Sequence, residues 1–138
     1  MKIATWNVNS LKMRLPHVLD WLGQSKTDIL CLQELKMTDD LFPIEALENS
    51  GFGAVWSGQK TYNGVAIVYR KDQLGEPESV QKNIPKFPDE QKRLIASIFK
   101  TELGNIRIVC GYFPNRSEVG SDKFAYKLAC LAALNHRL

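Results

Sequence analysis

Two short apolar runs, residues 2–6 (Lys2-Ile3-Ala4-Thr5-Trp6) and 28–32 (Asp28-Ile29-Leu30-Cys31-Leu32), bracket a stretch where Leu15, Val18, Leu19 and Leu22 recur at helical spacing. Their length, β-branching and flanking turn residues mark both runs as buried strands. Gly23 is expected to close the helix between them, with Pro16 accommodated in its first turn. A strand–helix–strand unit resolves into two parallel neighbours whose carboxyl ends lie side by side. No other feature constrains the fold as strongly, because the residues after each strand are delivered to one sheet edge, where open sheets carry their ligands.

Asn7-Val8-Asn9 comes directly after the first strand and Gln33-Glu34 after the second. A carboxylate beside a neutral amide oxygen suits a hard, oxygen-seeking cation such as Mg²⁺, with Mn²⁺ as the alternative. Glu34 is the candidate metal ligand. Asn7 is either a second ligand or the partner that orients carboxylate and water. Asn9, two residues on and therefore assigned to the same strand face as Asn7, is a candidate contact for metal or phosphate. An ordinary reading stands beside this one: Asn after a strand commonly makes an Asx-turn, and Glu at a strand end is commonly just solvated.

Further along, residues 43–50 read as a short helix stopped by Gly51. Residues 54–56 and 65–70 read as strands around a loop, and residues 79–83 as a short edge strand. Two prolines and a run of charges make residues 84–92 a loop. Residues 93–100 and 106–112 form an apparent hairpin across residues 102–105, and a helix begins at Asp122. Within the loop between the middle strands, Lys60, Tyr62 and Asn63 combine a cation, an aromatic ring and an amide, a set able to grip a nucleic-acid backbone. The same mixture is ordinary for an exposed loop. Tyr112 ends a strand and reads equally as a core tyrosine or as a phenol donating to a phosphate oxygen.

The chain has 138 residues, 44% hydrophobic and 24% charged, which describes a folded globular domain and excludes a disordered or fibrous one. A net charge of +3 permits phosphate contact without requiring it. Cys31, Cys110 and Cys130 are widely spaced and fit buried free thiols in a reducing compartment. With no signal-peptide pattern and no stretch approaching a membrane span, a cytoplasmic location with no membrane association is expected. Repeats and linkers are lacking, so one domain over residues 1–138 is expected, an α+β layered sandwich.

Taken in order, Thr5-Trp6-Asn7-Val8-Asn9, Leu32-Gln33-Glu34, the segment 58–68 (Gly58-Gln59-Lys60-Thr61-Tyr62-Asn63-Gly64-Val65-Ala66-Ile67-Val68) and Gly111-Tyr112-Phe113-Pro114-Asn115 resemble the exonuclease III / AP endonuclease family of DNA repair nucleases. That family belongs to the wider endonuclease/exonuclease/phosphatase superfamily. The resemblance runs over the whole chain and implies a DNase I-like fold, a four-layered α/β-sandwich of two packed mixed β-sheets with helices outside. It also implies Mg²⁺-dependent phosphodiester hydrolysis at abasic sites and 3′ ends of double-stranded DNA. By the same resemblance Tyr112 is an active-site residue, and Arg93 and Asn115 lie near the DNA. The family's later motifs, an Asp general base with its Asn and a terminal Asp-His pair, do not occur; His17 and His136 stand in other contexts. The resemblance therefore implies the N-terminal half of a nuclease, a truncated domain. Three outcomes stay open: a working enzyme, an inactive fragment or half that needs a complementary C-terminal chain, and another phosphodiesterase of the superfamily.

Overall fold

A computed structural model describes residues 1–59, 63–82, 94–101 and 104–111. In chain order these form β1 (Ile3–Asn7), α1 (Leu11–Ser25), β2 (Ile29–Gln33), a 3-10 turn (Asp39–Leu41), α2 (Ile44–Asn49), β3 (Phe52–Ser57), β4 (Val65–Arg70), β5 (Glu78–Lys82), β6 (Leu94–Thr101) and β7 (Gly104–Gly111). The expected strand–helix–strand unit is present. β1 and β2 are parallel, with Ile3 opposite Ile29 and Asn7 opposite Gln33. β4 pairs antiparallel with both β2 and β3, giving a mixed sheet in the order β1-β2-β4-β3. The second sheet, β5-β6-β7, is antiparallel among the described residues.

Alternation along the first sheet divides its residues between two cores. Ala4, Trp6, Leu30, Leu32, Ala66 and Val68 pack outward against Val18, Leu22 and Leu47 of the helices. Trp6 meets Trp21 edge-on, with ring centroids 6.2 Å apart. Ile29, Cys31, Ile67 and Tyr69 face the other way and pack on Ile95, Phe99, Ile108 and Cys110 of the second sheet. The described residues thus make three layers, helices on sheet on sheet; the helix expected from Asp122 lies outside them. No described helix is long and apolar enough to cross a membrane.

Several local expectations are corrected. β1 is an edge strand with Ile3 46% exposed, so only β2 of the first pair is buried throughout. Helix α1 begins at Leu11, which moves Pro16 beyond the first turn, where it withholds an N–H from the helix ladder. Gly23 does not stop the helix, which runs to Ser25 and ends on Lys26 in the left-handed conformation (φ 57°). The reason is distant in sequence: the Arg70 guanidinium donates to the carbonyls of Leu22 (3.3 Å) and Thr27 (3.0 Å), satisfying the helix end from β4. Gly104 and Asn105, expected in the hairpin loop, belong to β7, with Gly104 opposite Thr101.

The inter-sheet core carries titratable groups that respond to alkali. Burial pushes the Cys110 thiol well above its ordinary value of 9.0, and the neighbouring Cys31 pushes it further the same way. Burial raises the Tyr69 phenol too, with Glu76 and Glu48 adding to the effect. Both groups are neutral when protonated, and the folded state holds those protons more tightly than the unfolded chain does. Their contribution is therefore complete below the unfolded pKa values and is lost as pH rises through the folded ones. Melting temperature is expected to fall above about pH 9, and Cys110→Ala to flatten part of that fall. A melting temperature that stays level to pH 11 would contradict this, 11 lying about two units above an ordinary thiol.

Candidate functional site

The carboxyl ends of β1 and β2 open into two turns with unusual backbone. Asn9 (φ 45°), Ser10 (φ 88°), Glu34 (φ 57°) and Lys36 (φ 56°) all lie in the left-handed region, and so does Asn63 (φ 56°) just before β4. A side chain there costs on the order of 1 kcal/mol or more, so something must hold it. Backbone hydrogen bonds between the three segments do so. Ser10 N–H donates to the Glu34 carbonyl (2.9 Å) and Leu11 N–H to that of Leu35 (3.1 Å). Leu35 and Lys36 N–H donate in turn to the carbonyls of Gly64 (3.2 Å) and Asn63 (3.1 Å). The first of these also starts helix α1, whose N-cap Ser10 makes no side-chain cap. Gly64 (φ 90°) is required here, because a Cβ would sit 2.9 Å from that of Leu35.

Glu34 leaves this lattice half-buried. Among the described residues, no hydrogen bond or ion pair engages its carboxylate. Asn7, at the end of the adjacent strand, is exposed, and its Oδ1 accepts the Asn9 N–H at 3.1 Å. The Asx-turn that the sequence also allows is therefore present. An amide oxygen has two lone pairs, so the turn leaves one of them available.

Asn9 is not on the expected strand face. β1 ends at Asn7, the chain turns left-handed, and the alternation rule lapses. Its Oδ1 instead accepts a 2.5 Å hydrogen bond from the Lys36 ammonium. Asn63 is 7% exposed and donates its amide to Gln59 Oε1 at 3.2 Å. Lys60, Tyr62, Arg93, Tyr112 and Asn115 lie outside the described residues.

Two contributors escape the sequence reading. Gln33 is buried and donates to Thr5 Oγ1 (2.7 Å) and Cys110 Sγ (3.5 Å), tying β1, β2 and β7 together beneath the edge. Lys36 bridges all three turn segments. Lys36 also lines a cavity of about 360 Å³ with Ser10, Lys12, Leu15 and Met37. Gln33 stands in the Leu32-Gln33-Glu34 block without its cross-sheet role being readable there, and Lys36 carries no signal of its own.

No cluster of three or more His, Cys, Asp or Glu occurs among the described residues. One carboxylate with amide oxygens is nonetheless a donor set that fits Mg²⁺, which keeps several waters and is held through one or two carboxylates plus substrate phosphate. Thiolate- or imidazole-seeking metals do not fit it.

Comparison with known proteins identifies the family. The endonuclease/exonuclease/phosphatase family matches residues 4–136. An exodeoxyribonuclease III of Haemophilus influenzae is 35% identical, aligned to 100% of the chain and 51% of that relative. A 3′ phosphatase from Neisseria, solved with a product DNA hairpin, is 47% identical with a TM-score of 0.78 over 99% of the chain and 50% of its own. An AP endonuclease from Archaeoglobus fulgidus is 39% identical with a TM-score of 0.77, again over 99% and 50%. The two-sheet α+β arrangement is thus the DNase I-like one of these nucleases. The chain spans about half the length of the curated relatives it matches.

Proposed function

The chain belongs to the endonuclease/exonuclease/phosphatase family, and we propose that it is the amino-terminal half of an exodeoxyribonuclease III-like DNA repair nuclease. Its substrate is double-stranded DNA bearing abasic sites or 3′ ends, and its reaction is metal-dependent phosphodiester hydrolysis. One observation carries this reading: Glu34, held left-handed at the sheet edge with no partner among the described residues, next to Asn7. The cation supplies polarisation of a phosphoryl oxygen and activation of water. Glu34 holds it and Asn7 either ligates or orients, with Mg²⁺ preferred and Mn²⁺ acceptable. Tyr112 donates to the scissile phosphate, and Lys60, Tyr62, Arg93 and Asn115 contact the DNA on either side. Asn63, bonded to Gln59, adds a further contact from the segment before β4. The free thiols Cys31 and Cys110 fit a cytoplasmic setting.

Within this reading, residues 1–138 form one domain that requires a complementary half for turnover. A second observation favours that: among the described residues β1 and β7 are each an edge strand of their sheet, and both line one cavity of about 470 Å³ with Cys31 and Gln33. Edge strands facing the same opening are a template for further strands.

The test is incision of a duplex carrying one abasic site, in Mg²⁺ or EDTA. The chain is assayed alone and mixed with the carboxyl-terminal half of the H. influenzae relative. Incision only in the mixture, lost in EDTA, is the expected result. Incision by the chain alone would overturn the need for a complement. Silence in the mixture, with a folded chain by circular dichroism, would overturn the nuclease reading.

A further inference from the structure

The stretch that follows Glu34 clasps both ends of the segment between β3 and β4. On the β4 side, the Leu35 and Lys36 N–H groups hold the carbonyls of Gly64 (3.2 Å) and Asn63 (3.1 Å). On the β3 side, Met37 and Gln59 form an isolated antiparallel bridge. A carboxylate completes the clasp there: Asp39, the first residue of the 3-10 turn, accepts the Gly58 N–H on Oδ1 at 2.5 Å. Its carbonyl accepts the Trp56 indole N–H at 3.1 Å, and the Trp56 ring stacks on Phe42 with centroids 4.3 Å apart. The two segments approach so closely that a Cβ on Gly58 would run into the Met37 carbonyl, so only glycine fits at that point.

The backbone bonds and the bridge are indifferent to side-chain identity, and the Trp56–Phe42 stack fixes β3 itself. The bond from Gly58 to Asp39 is different: it is charge-assisted, and it acts where the chain leaves β3 toward Lys60 and Tyr62. The carboxylate's other neighbour, the Lys82 ammonium, stands 3.9 Å away with both side chains exposed, an arrangement worth little. We propose that Asp39 is a positioning residue for DNA binding: it fixes the root of the β3–β4 segment relative to the Glu34 edge, so that contacts from that segment and the cation edge engage one duplex together. The proposal rests on the nuclease reading, with Lys60 and Tyr62 as DNA contacts. Asp39 acts through Gly58, so its loss weakens DNA binding and spares the chemical step.

The experiment compares the complemented chain with its Asp39→Ala, Asp39→Asn and Lys82→Ala variants. It reads kcat and KM on the abasic-site duplex in Mg²⁺, and hydrogen exchange at the Gly58 amide. D39A is expected to raise KM about tenfold, the scale of one hydrogen bond to a charged acceptor, with kcat within about twofold and faster Gly58 exchange. D39N keeps an oxygen for Gly58 and K82A leaves the bond intact, so both should match the parent within about twofold. An unchanged KM in D39A, or a loss confined to kcat, overturns the proposal. So does a D39N or K82A chain as impaired as D39A, since charge and not the bond to Gly58 would then be at work. Gly58 exchange indifferent to D39A overturns the clasp itself, whatever the kinetics. Silence of every complemented chain, the parent included, would instead sink the nuclease reading on which the proposal rests.

Discussion

Glu34→Gln is expected to lower metal-dependent incision by the complemented chain about a thousandfold or more, and to leave its melting temperature nearly unchanged. The substitution preserves shape and one amide oxygen while removing the only negative charge on the Asn7–Asn9–Glu34–Lys36 edge. A cation bound through a single carboxylate has no substitute for it. Stability should be indifferent because no described residue pairs with the carboxylate, and Gln suffers the same left-handed strain (φ 57°) as Glu. A position selected for stability alone would favour Gly or Asn in that conformation. That a carboxylate stands there against its backbone preference is the strongest local argument that its charge is wanted. The check is paired: incision rate at saturating Mg²⁺, and thermal unfolding of the same preparation. A rate drop below tenfold would remove Glu34 from the cation, and a large loss of stability would make it a structural residue.

The parallel β1–β2 pair, the helix between them, the β6–β7 hairpin and the edge that gathers Asn7 and Glu34 are all legible in the sequence. They are legible because period, β-branching and turn chemistry are local. The failures are non-local. Gly23 looks like a helix stop, yet Arg70, far along the chain, satisfies carbonyls on either side of it, those of Leu22 and Thr27. Strand alternation misplaces Asn9, because it ends at Asn7, where a hydrogen bond to a neighbouring turn pulls Ser10 into the left-handed region. Lys36 and Gln33 matter only through partners on other segments, Asn9 and Asn63 for one, Thr5 and Cys110 for the other. A side chain whose role is to hold two turns or two sheets together shows nothing of that role in a single window of sequence.

The opposite response, a large stability loss away from the edge, is expected from Phe99→Ala. Phe99 is fully buried on β6 in the core between the sheets, and its ring lies 5.3 Å from that of Tyr69 on β4. Truncating a buried Phe removes its transfer free energy and leaves a cavity that the surrounding β-branched residues fill poorly. The loss is about 3–5 kcal/mol. For a chain of this size that lowers the melting temperature by roughly 10 °C or more. Phe99→Leu should lose far less, since most of the volume remains. The consequence reaches the edge through the same core. Gln33 holds β1 by Thr5 and the second sheet by Cys110, so loosening the sheets releases the floor under Asn7 and Glu34. Incision by Phe99→Ala should therefore recover on cooling, in step with refolding, whereas Glu34→Gln should stay inactive at every temperature. A Phe99→Ala chain that melts like the parent would mean that the two sheets do not share this core. If it melted low and yet cut DNA normally above its midpoint, the edge would not depend on the second sheet for its shape.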